Sequence, residues 1–323
     1  MKKELLMTLL MLNSCNFATN NESGNFKNNE LSILVPTGAP SAAFLEYLND
    51  PNFQTNTTPN NIIAEMLKES VDVAVVDLIG GLNAIKNKNA NYKLAATITF
   101  GNFYIYATGN DDDKIMDNND NIVGFGQNNT PDILFKYLYP NIDIDYYLPG
   151  VSDVVSIAAS GQFEGEKVDY CVIAEPILTK VLNNKNALTY GKSYIYSDFQ
   201  EEWKKLRASS IIGASIFINN NTFENKKEEV INFLNKINKS ITSYVNDPNI
   251  AYNLLNSYGS AEQQAQKIGI NDNLLKSVLN SSNSINLGYL DFNNILYKEL
   301  IFDYLNVINN SLISDEYFLK NEK

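Results

Sequence analysis

The chain of 323 residues has no histidine. That absence removes histidine-based catalytic triads, histidine general bases and every metal site that needs an imidazole. Cysteine is nearly absent as well: Cys15 and Cys171 give no disulfide framework and no paired metal or redox motif. Trp203 is the single tryptophan and Arg207 the single arginine. Basic charge is in deficit, with 25 Lys and Arg against 37 Asp and Glu and a net charge of −12. An acidic surface of this size argues against nucleic-acid binding and against attachment to anionic lipid through basic residues. Long apolar runs are missing too. The longest near the start, Leu5–Leu12, is far shorter than the about 20 residues that span a bilayer.

What remains is a globular composition, 44% hydrophobic and 19% charged, with enough chain for about two domains. The start, MKKELLMTLLMLNSC, sets Lys2 and Lys3 before the apolar run and a small residue before Cys15. It resembles a bacterial lipoprotein signal, in which Cys15 would become the acylated first residue; Glu4 and Asn13 depart from that pattern. Residues 16–30, NFATNNESGNFKNNE, are polar and low in complexity and read as a flexible tether.

From Leu31 onward the pattern alternates. Apolar β-branched runs at Leu31–Val35, Val71–Asp77, Tyr92–Thr99, Asn102–Thr108, Asn121–Gly126, Asp143–Leu148, Val168–Ala174 and Ile211–Ile218 predict strands, with helical segments between most of them. After Ile218 the pattern predicts helices to the end. Such alternation indicates an α/β protein with mainly parallel sheets. The acidic run Asn110–Asn121 reads as a solvated connection.

Two strand-to-helix corners carry the best site signals. In Val35-Pro36-Thr37-Gly38-Ala39-Pro40-Ser41, a glycine precedes a proline-marked helix start, and the Thr37 and Ser41 hydroxyls join the first-turn N–H groups in a donor-rich rim. The second corner, Gly124–Pro131, repeats the design with Gln127, Asn128, Asn129 and Thr130. Either corner also reads as an ordinary capped turn. Asp77 and Glu175 close two apolar strands and are the candidate carboxylates; the alternatives are a helix cap for Asp77 and a surface ion pair for Glu175. Among the aromatics Phe44, Tyr47, Phe100, Phe103 and Tyr104, the better candidates for stacking on a planar ligand are Phe100 and Tyr104. Arg207 suits a carboxylate or sulfonate clamp or plain solvation, and Cys171 reads as a small core residue.

Four segments in order, VPTGAPSAAFLEYL, VDVAVVDLIGGLNAI, NIVGFGQNNTPDILFKYL and SDVVSIAASGQFEGEKVDYCVIAEP, resemble the periplasmic-binding-protein-like (type 2) family that serves ABC importers of sulfonates, nitrate, taurine and thiamine precursors. The resemblance runs from Leu31 to about Asn246 and rests on order and spacing. It implies a two-domain fold with a helical C-terminal part. One domain would hold residues 31–103 and 206–323 and the other 104–205, closing over ligand by hinge motion near Phe100–Tyr104 and Lys205–Ser210. It implies a tethered solute-binding protein outside the cytoplasm, working with a permease and an ATPase, with no cofactor, metal or catalytic group. The ligand residues would be Thr37, Gly38, Ser41, Asp77, Phe100, Tyr104, Gln127, Asn128, Asn129, Thr130 and Glu175. With few cationic side chains near the corners, a neutral or cationic heterocycle such as a pyrimidine or a thiamine-like molecule is expected, with a small organic anion as the alternative. An enzyme on the same fold would have only carboxylate chemistry to draw on.

Overall fold

Ile33, Leu34 and Val35 are all buried, so the first strand has no solvent face and must lie inside a sheet covered on both sides. A computed structural model describes residues 31–207, 209–280, 285–308 and 314–320; the signal and tether expected over 1–30, Cys15 included, lie outside the described residues. In chain order, β1 (Ile33–Pro36) leads through a 3-10 helix (Ala39–Tyr47) to β2 (Phe53–Asn56), α1 (Pro59–Leu67), β3 (Val73–Asp77), α2 (Leu78–Lys88) and β4 (Tyr92–Thr99). There follow β5 (Phe103–Ala107), β6 (Ile122–Phe125), α3 (Thr130–Leu138), β7 (Tyr146–Leu148) and α4 (Val154–Ser160). A small ribbon of β8 (Gln162–Phe163) and β9 (Glu166–Lys167) precedes β10 (Tyr170–Ala174), α5 (Ile177–Leu182), β11 (Tyr194–Asp198) and α6 (Phe199–Leu206). The rest is β12 (Ala214–Asn219), α7 (Asn220–Asn225), α8 (Lys227–Asn246), α9 (Pro248–Tyr258), α10 (Ala261–Ile268), α11 (Asp272–Asn280), β13 (Leu287–Asp291) and α12 (Ile295–Val307).

These strands make a six-stranded sheet in the order β13-β4-β12-β3-β1-β2 and a five-stranded sheet in the order β11-β5-β10-β6-β7. The chain passes from the first to the second at Phe100–Asn102 and returns at residues 207–213. Both sheets are mixed, which corrects the expectation of mainly parallel ones. β1 pairs parallel with β2 and β3, and β6 with β7 and β10, but β12 enters antiparallel between β3 and β4, and β5 runs antiparallel to β10 and β11. Each antiparallel strand lies next to a passage between the sheets, where the chain arrives from the other lobe and not through a helical crossover. A second correction concerns the C-terminal region: β13 is a strand on the edge of the larger sheet, paired antiparallel with β4.

Helices cover the sheets by the usual apolar faces. In α8, Val230, Phe233, Leu234, Ile237, Ile241 and Tyr244 are buried at helical spacing. Gly81 lets α2 lie against β12, since a Cβ there would sit 2.1 Å from the Phe217 ring. One apolar cluster continues through both lobes, from Leu34 and Ala74 to Ile105, Phe135, Trp203 and Tyr304. No described helix is long and apolar enough to cross a membrane.

Candidate functional site

β1 and β3 are parallel neighbours, with Ile33 opposite Val73, so Thr37 and Asp77 leave the larger sheet on the same edge. β6 and β10 are likewise parallel, with Tyr170 opposite Ile122, so the Gln127–Thr130 loop and Glu175 leave the smaller sheet together. Such carboxyl-terminal edges are where open α/β sheets gather ligands. The two edges meet. The Thr130 hydroxyl donates to Asp77 Oδ1 at 2.9 Å, and a Cβ at Gly38 would lie 3.9 Å from Pro176 Cδ. The β3 corner therefore faces the β6 corner, and the β1 corner faces Glu175-Pro176.

Asp77 caps α2, with Oδ1 accepting the Gly80 N–H at 3.0 Å as well as the Thr130 hydroxyl. Gly80 is needed for this, because a Cβ there would come within 2.6 Å of Asp77 Oδ2. Capping and contact across the seam thus coexist in one carboxylate. Glu175 is 3% exposed; its oxygens accept the Thr179 N–H at 3.1 Å and the Thr179 hydroxyl at 2.9 Å, and it is joined to Pro176 by a cis peptide bond. Neither carboxylate takes part in an ion pair among the described residues. Burial raises both above the usual carboxylate range, although the hydrogen bonds they accept pull the other way. A half-buried and a buried acid at one seam, neither in an ion pair among the described residues, are an arrangement that can receive a positive charge or a hydrogen-bond donor.

The second corner projects. Gln127 and Asn128 are exposed and Asn129 half-buried, while Thr130 is 1% exposed beneath the seam. Asn128 takes the left-handed φ of 61° that asparagine tolerates, and its N–H donates to Asp132 Oδ2 at 2.7 Å. Asp132 is itself buried, accepts the Tyr147 hydroxyl at 2.6 Å and pairs with Lys136 at 3.0 Å. That network holds the loop in shape.

The first corner is tied down. Ser41 is fully buried, and its hydroxyl points to the carbonyl oxygens of Gly38 (2.7 Å) and Ile268 (2.9 Å), so it is no donor on the rim as the sequence suggested. The Gly38 N–H donates to Ile268 and the Thr37 N–H to Asn56. The reason is α10: its last residue and Gly269 come so close that a Cβ at Gly269 would lie 3.1 Å from Thr37 Cβ. Thr37 and Gly38 keep partial exposure beside the seam.

The aromatics go mostly to packing. Tyr104 is 1% exposed, in a cluster with Val123 and Ile173, and its hydroxyl is raised by burial. Phe100 lies against Gly288, where a Cβ would come within 2.8 Å of the ring. Phe44 stacks on Phe53 and Phe233, Tyr47 lies under the Lys236 ammonium, and Phe103 meets Phe125 and Phe199. Arg207 is exposed and reaches the Tyr137 hydroxyl, and Cys171 is a buried core thiol. Trp203 is buried between Tyr137 and Tyr304, with ring centres 5.5 and 5.4 Å away. Sequence reasoning missed Gln200, whose Oε1 accepts the Ile211 N–H at 2.9 Å beside the return passage and whose side chain lies against Gly101 at the first passage. No local motif marks it, because it reaches both passages only through the packing of α6. Among the described residues, no group of three or more Cys, Asp or Glu side chains is placed to hold a metal ion.

No family model and no curated protein matches the sequence. Solved structures do match. An ABC transporter protein from Parabacteroides distasonis superposes with a TM-score of 0.64 at 17% identity, over 91% of this chain and 100% of that one. The periplasmic aliphatic sulphonate-binding protein SsuA of Escherichia coli gives 0.61 at 12% identity, over 88% of this chain and 86% of that one. The CA3427 gene product of Candida albicans, described as having the generic periplasmic binding protein fold, gives 0.56 at 12% identity, over 89% and 92%. With two mixed sheets crossed twice by the chain and strand ends meeting at one seam, the protein has the periplasmic-binding-protein fold.

Proposed function

We propose that the chain is the solute-binding component of an ABC importer, acting outside the cytoplasm and presenting a small molecule to a permease and its ATPase. The observation that carries this reading is the Asp77–Thr130 hydrogen bond, which joins the two sheets at the strand ends where such folds take ligands. Residues 31–103 with 206–323 form one domain and 104–205 the other, and the ligand sits where they close. Thr37, Gly38, Asp77, Gln127, Asn128, Asn129, Thr130 and Glu175 surround it, and acylation of Cys15 anchors the protein to the membrane. Two of the solved neighbours, an ABC transporter protein and a sulphonate-binding protein, support the role.

The two acids at the seam, Asp77 and Glu175, favour a neutral or cationic heterocycle, such as a pyrimidine or a thiamine-like molecule. A small organic anion is the second reading. It is favoured by the start of α3, whose first turn opens at Thr130 on the seam and offers backbone donors. Ligand specific to the folded state must raise its melting temperature. A thermal-shift screen of heterocycles against sulfonates and nitrate decides between the two, and a shift with anions alone removes the first. Incorporation of labelled fatty acid, abolished by Cys15→Ala, tests the anchor.

A further inference from the structure

The two sheets share a core on one face only. Along β3, Ala74 and Val76 go to one side and Val73 and Val75 to the other; along β10, Tyr170 and Val172 alternate with Cys171 and Ile173 in the same way. Ala74, Val76, Tyr170 and Val172 all belong to a single apolar cluster, covered by α2 and α12 on the larger sheet and by α3 and α6 on the smaller. On the opposite face the cores are separate. Val73 and Val75 pack with α8–α11, and Cys171 and Ile173 pack with α4 and α5.

The contacts across the seam follow the same division. On the shared face, the Trp203 ring of α6 lies 5.4 Å from the Tyr304 ring of α12, and both rings are fully buried. Trp203 Nε1 donates to Ser209 Oγ at 3.4 Å, and Ser209 Oγ donates to Asp303 Oδ2 on α12 at 3.2 Å. The Asp77–Thr130 bond stands on this face too, since Asp77 caps α2 and Thr130 opens α3. On the other face Gly38 approaches Pro176, and α11 runs near α5. There the polar groups are spent on their own sheet's side: the Gly38 N–H and Ser41 hydroxyl go to Ile268, and the Thr179 N–H and hydroxyl go to Glu175. Between the faces the two passages pair with each other. The Gly101 N–H donates to the Ile211 carbonyl and the Gly213 N–H to the Thr99 carbonyl, so they bend as one ribbon.

We infer that the seam opens on one face alone: the Gly38–Pro176 face, with α11 and α5 at its rim, is the mouth, and the Trp203–Tyr304 contact is a brace that stays shut as the ribbon bends. Parting the shared face would bring two fully buried aromatic rings and the cluster around them into water. Parting the other face only separates two cores that are already distinct. Ligand therefore enters past Gly38 and Pro176 and leaves the Asp77–Thr130 bond unbroken. The inference rests on the solute-binding reading for the purpose of the motion, but the motion itself is measurable without ligand.

The test is the distance between paired spin labels in the full, ligand-free chain carrying Cys15→Ala, with the buried Cys171 left in place. Labels at Lys180→Cys and Ser277→Cys report the mouth, and labels at Lys204→Cys and Asn306→Cys report the brace; all four positions are exposed. The mouth pair is expected to spread over populations several ångström apart, and the brace pair to stay single and narrow. Tyr304→Ala should broaden the brace pair and raise iodide quenching of Trp203 severalfold, while Tyr304→Phe, which keeps the ring, should do neither. A brace pair that spreads together with the mouth pair overturns the inference, and so does a mouth pair that stays narrow. A brace pair unmoved by Tyr304→Ala overturns the role given to that ring. Should Tyr304→Ala fail to fold, the two label pairs in the otherwise unchanged chain decide alone. Because no ligand takes part, each of these failures leaves the solute-binding role to the thermal-shift screen.

Discussion

Twice the chain writes a strand, a short polar loop with glycine and a proline in the first helical turn, at Val35–Ser41 and at Phe125–Pro131, and the two corners do different work. At the first, α10 presses from behind and takes the Gly38 N–H and the Ser41 hydroxyl on the Ile268 carbonyl. At the second the Gly126 N–H goes to the Leu148 carbonyl of the neighbouring strand β7. Asp132 organises the loop from below, Gln127 and Asn128 face solvent, and Thr130 reaches across to Asp77. The first corner thus spends its donors on its own side of the seam, whereas the second sends its Thr130 hydroxyl across it.

The sharpest way to break this contrast is at the buried carboxylate of the second corner. Asp132→Ala strands the Tyr147 hydroxyl and the Asn128 N–H together, and should lower stability by about 3 kcal/mol in urea melts. Thr130→Val keeps shape and removes the bond across the seam. It should cost about 1 kcal/mol of stability and, if the second corner is the lip, weaken ligand about tenfold. Ser41→Ala should cost a similar ~1 kcal/mol yet leave ligand affinity unchanged, since that hydroxyl serves only the first corner's own carbonyls. A ligand effect from Ser41→Ala equal to that from Thr130→Val would erase the distinction.

The smallest effect is a pH dependence. Asp77 and Glu175 are raised by burial from ordinary values of 3.8 and 4.5. The native state therefore holds protons that the unfolded chain releases. The resulting penalty begins as pH passes those ordinary values and is complete above the folded-state values, so stability falls with rising pH across that window. Asp77→Asn should flatten the fall, read as urea midpoints from about pH 4 to 7, and Ser41→Ala should leave it unchanged.

Most strands of the two sheets were legible because buried strands announce themselves as β-branched runs: Val73–Val76 and Tyr170–Ala174 are buried throughout. Asp77 and Thr130 were legible as residues ending a strand or opening a helix, but their meeting was not, because it joins segments 53 residues apart through the docking of two lobes. Sheet direction was misread for a similar reason: the hydrophobic pattern of β12 is the same whichever way it enters the sheet. β13 is half-buried along its whole length and sits at an edge, so it lacks the apolar run that marks an interior strand. Ser41 looked like a rim donor because nothing local shows that residue 268 will lie over it.

The position of β12 also bears on biosynthesis. It separates β3 from β4 in the finished sheet, placing Phe217 against Ala74 on one side and Leu94 on the other. Until Ala214–Asn219 has been made, those two older strands have no neighbour to join them, and the first lobe cannot complete its sheet. At about 5–20 residues per second, that leaves their edges open for on the order of ten seconds on the ribosome. The late strand ties completion of the six-stranded sheet to the synthesis of everything that lies between β4 and β12 in the chain.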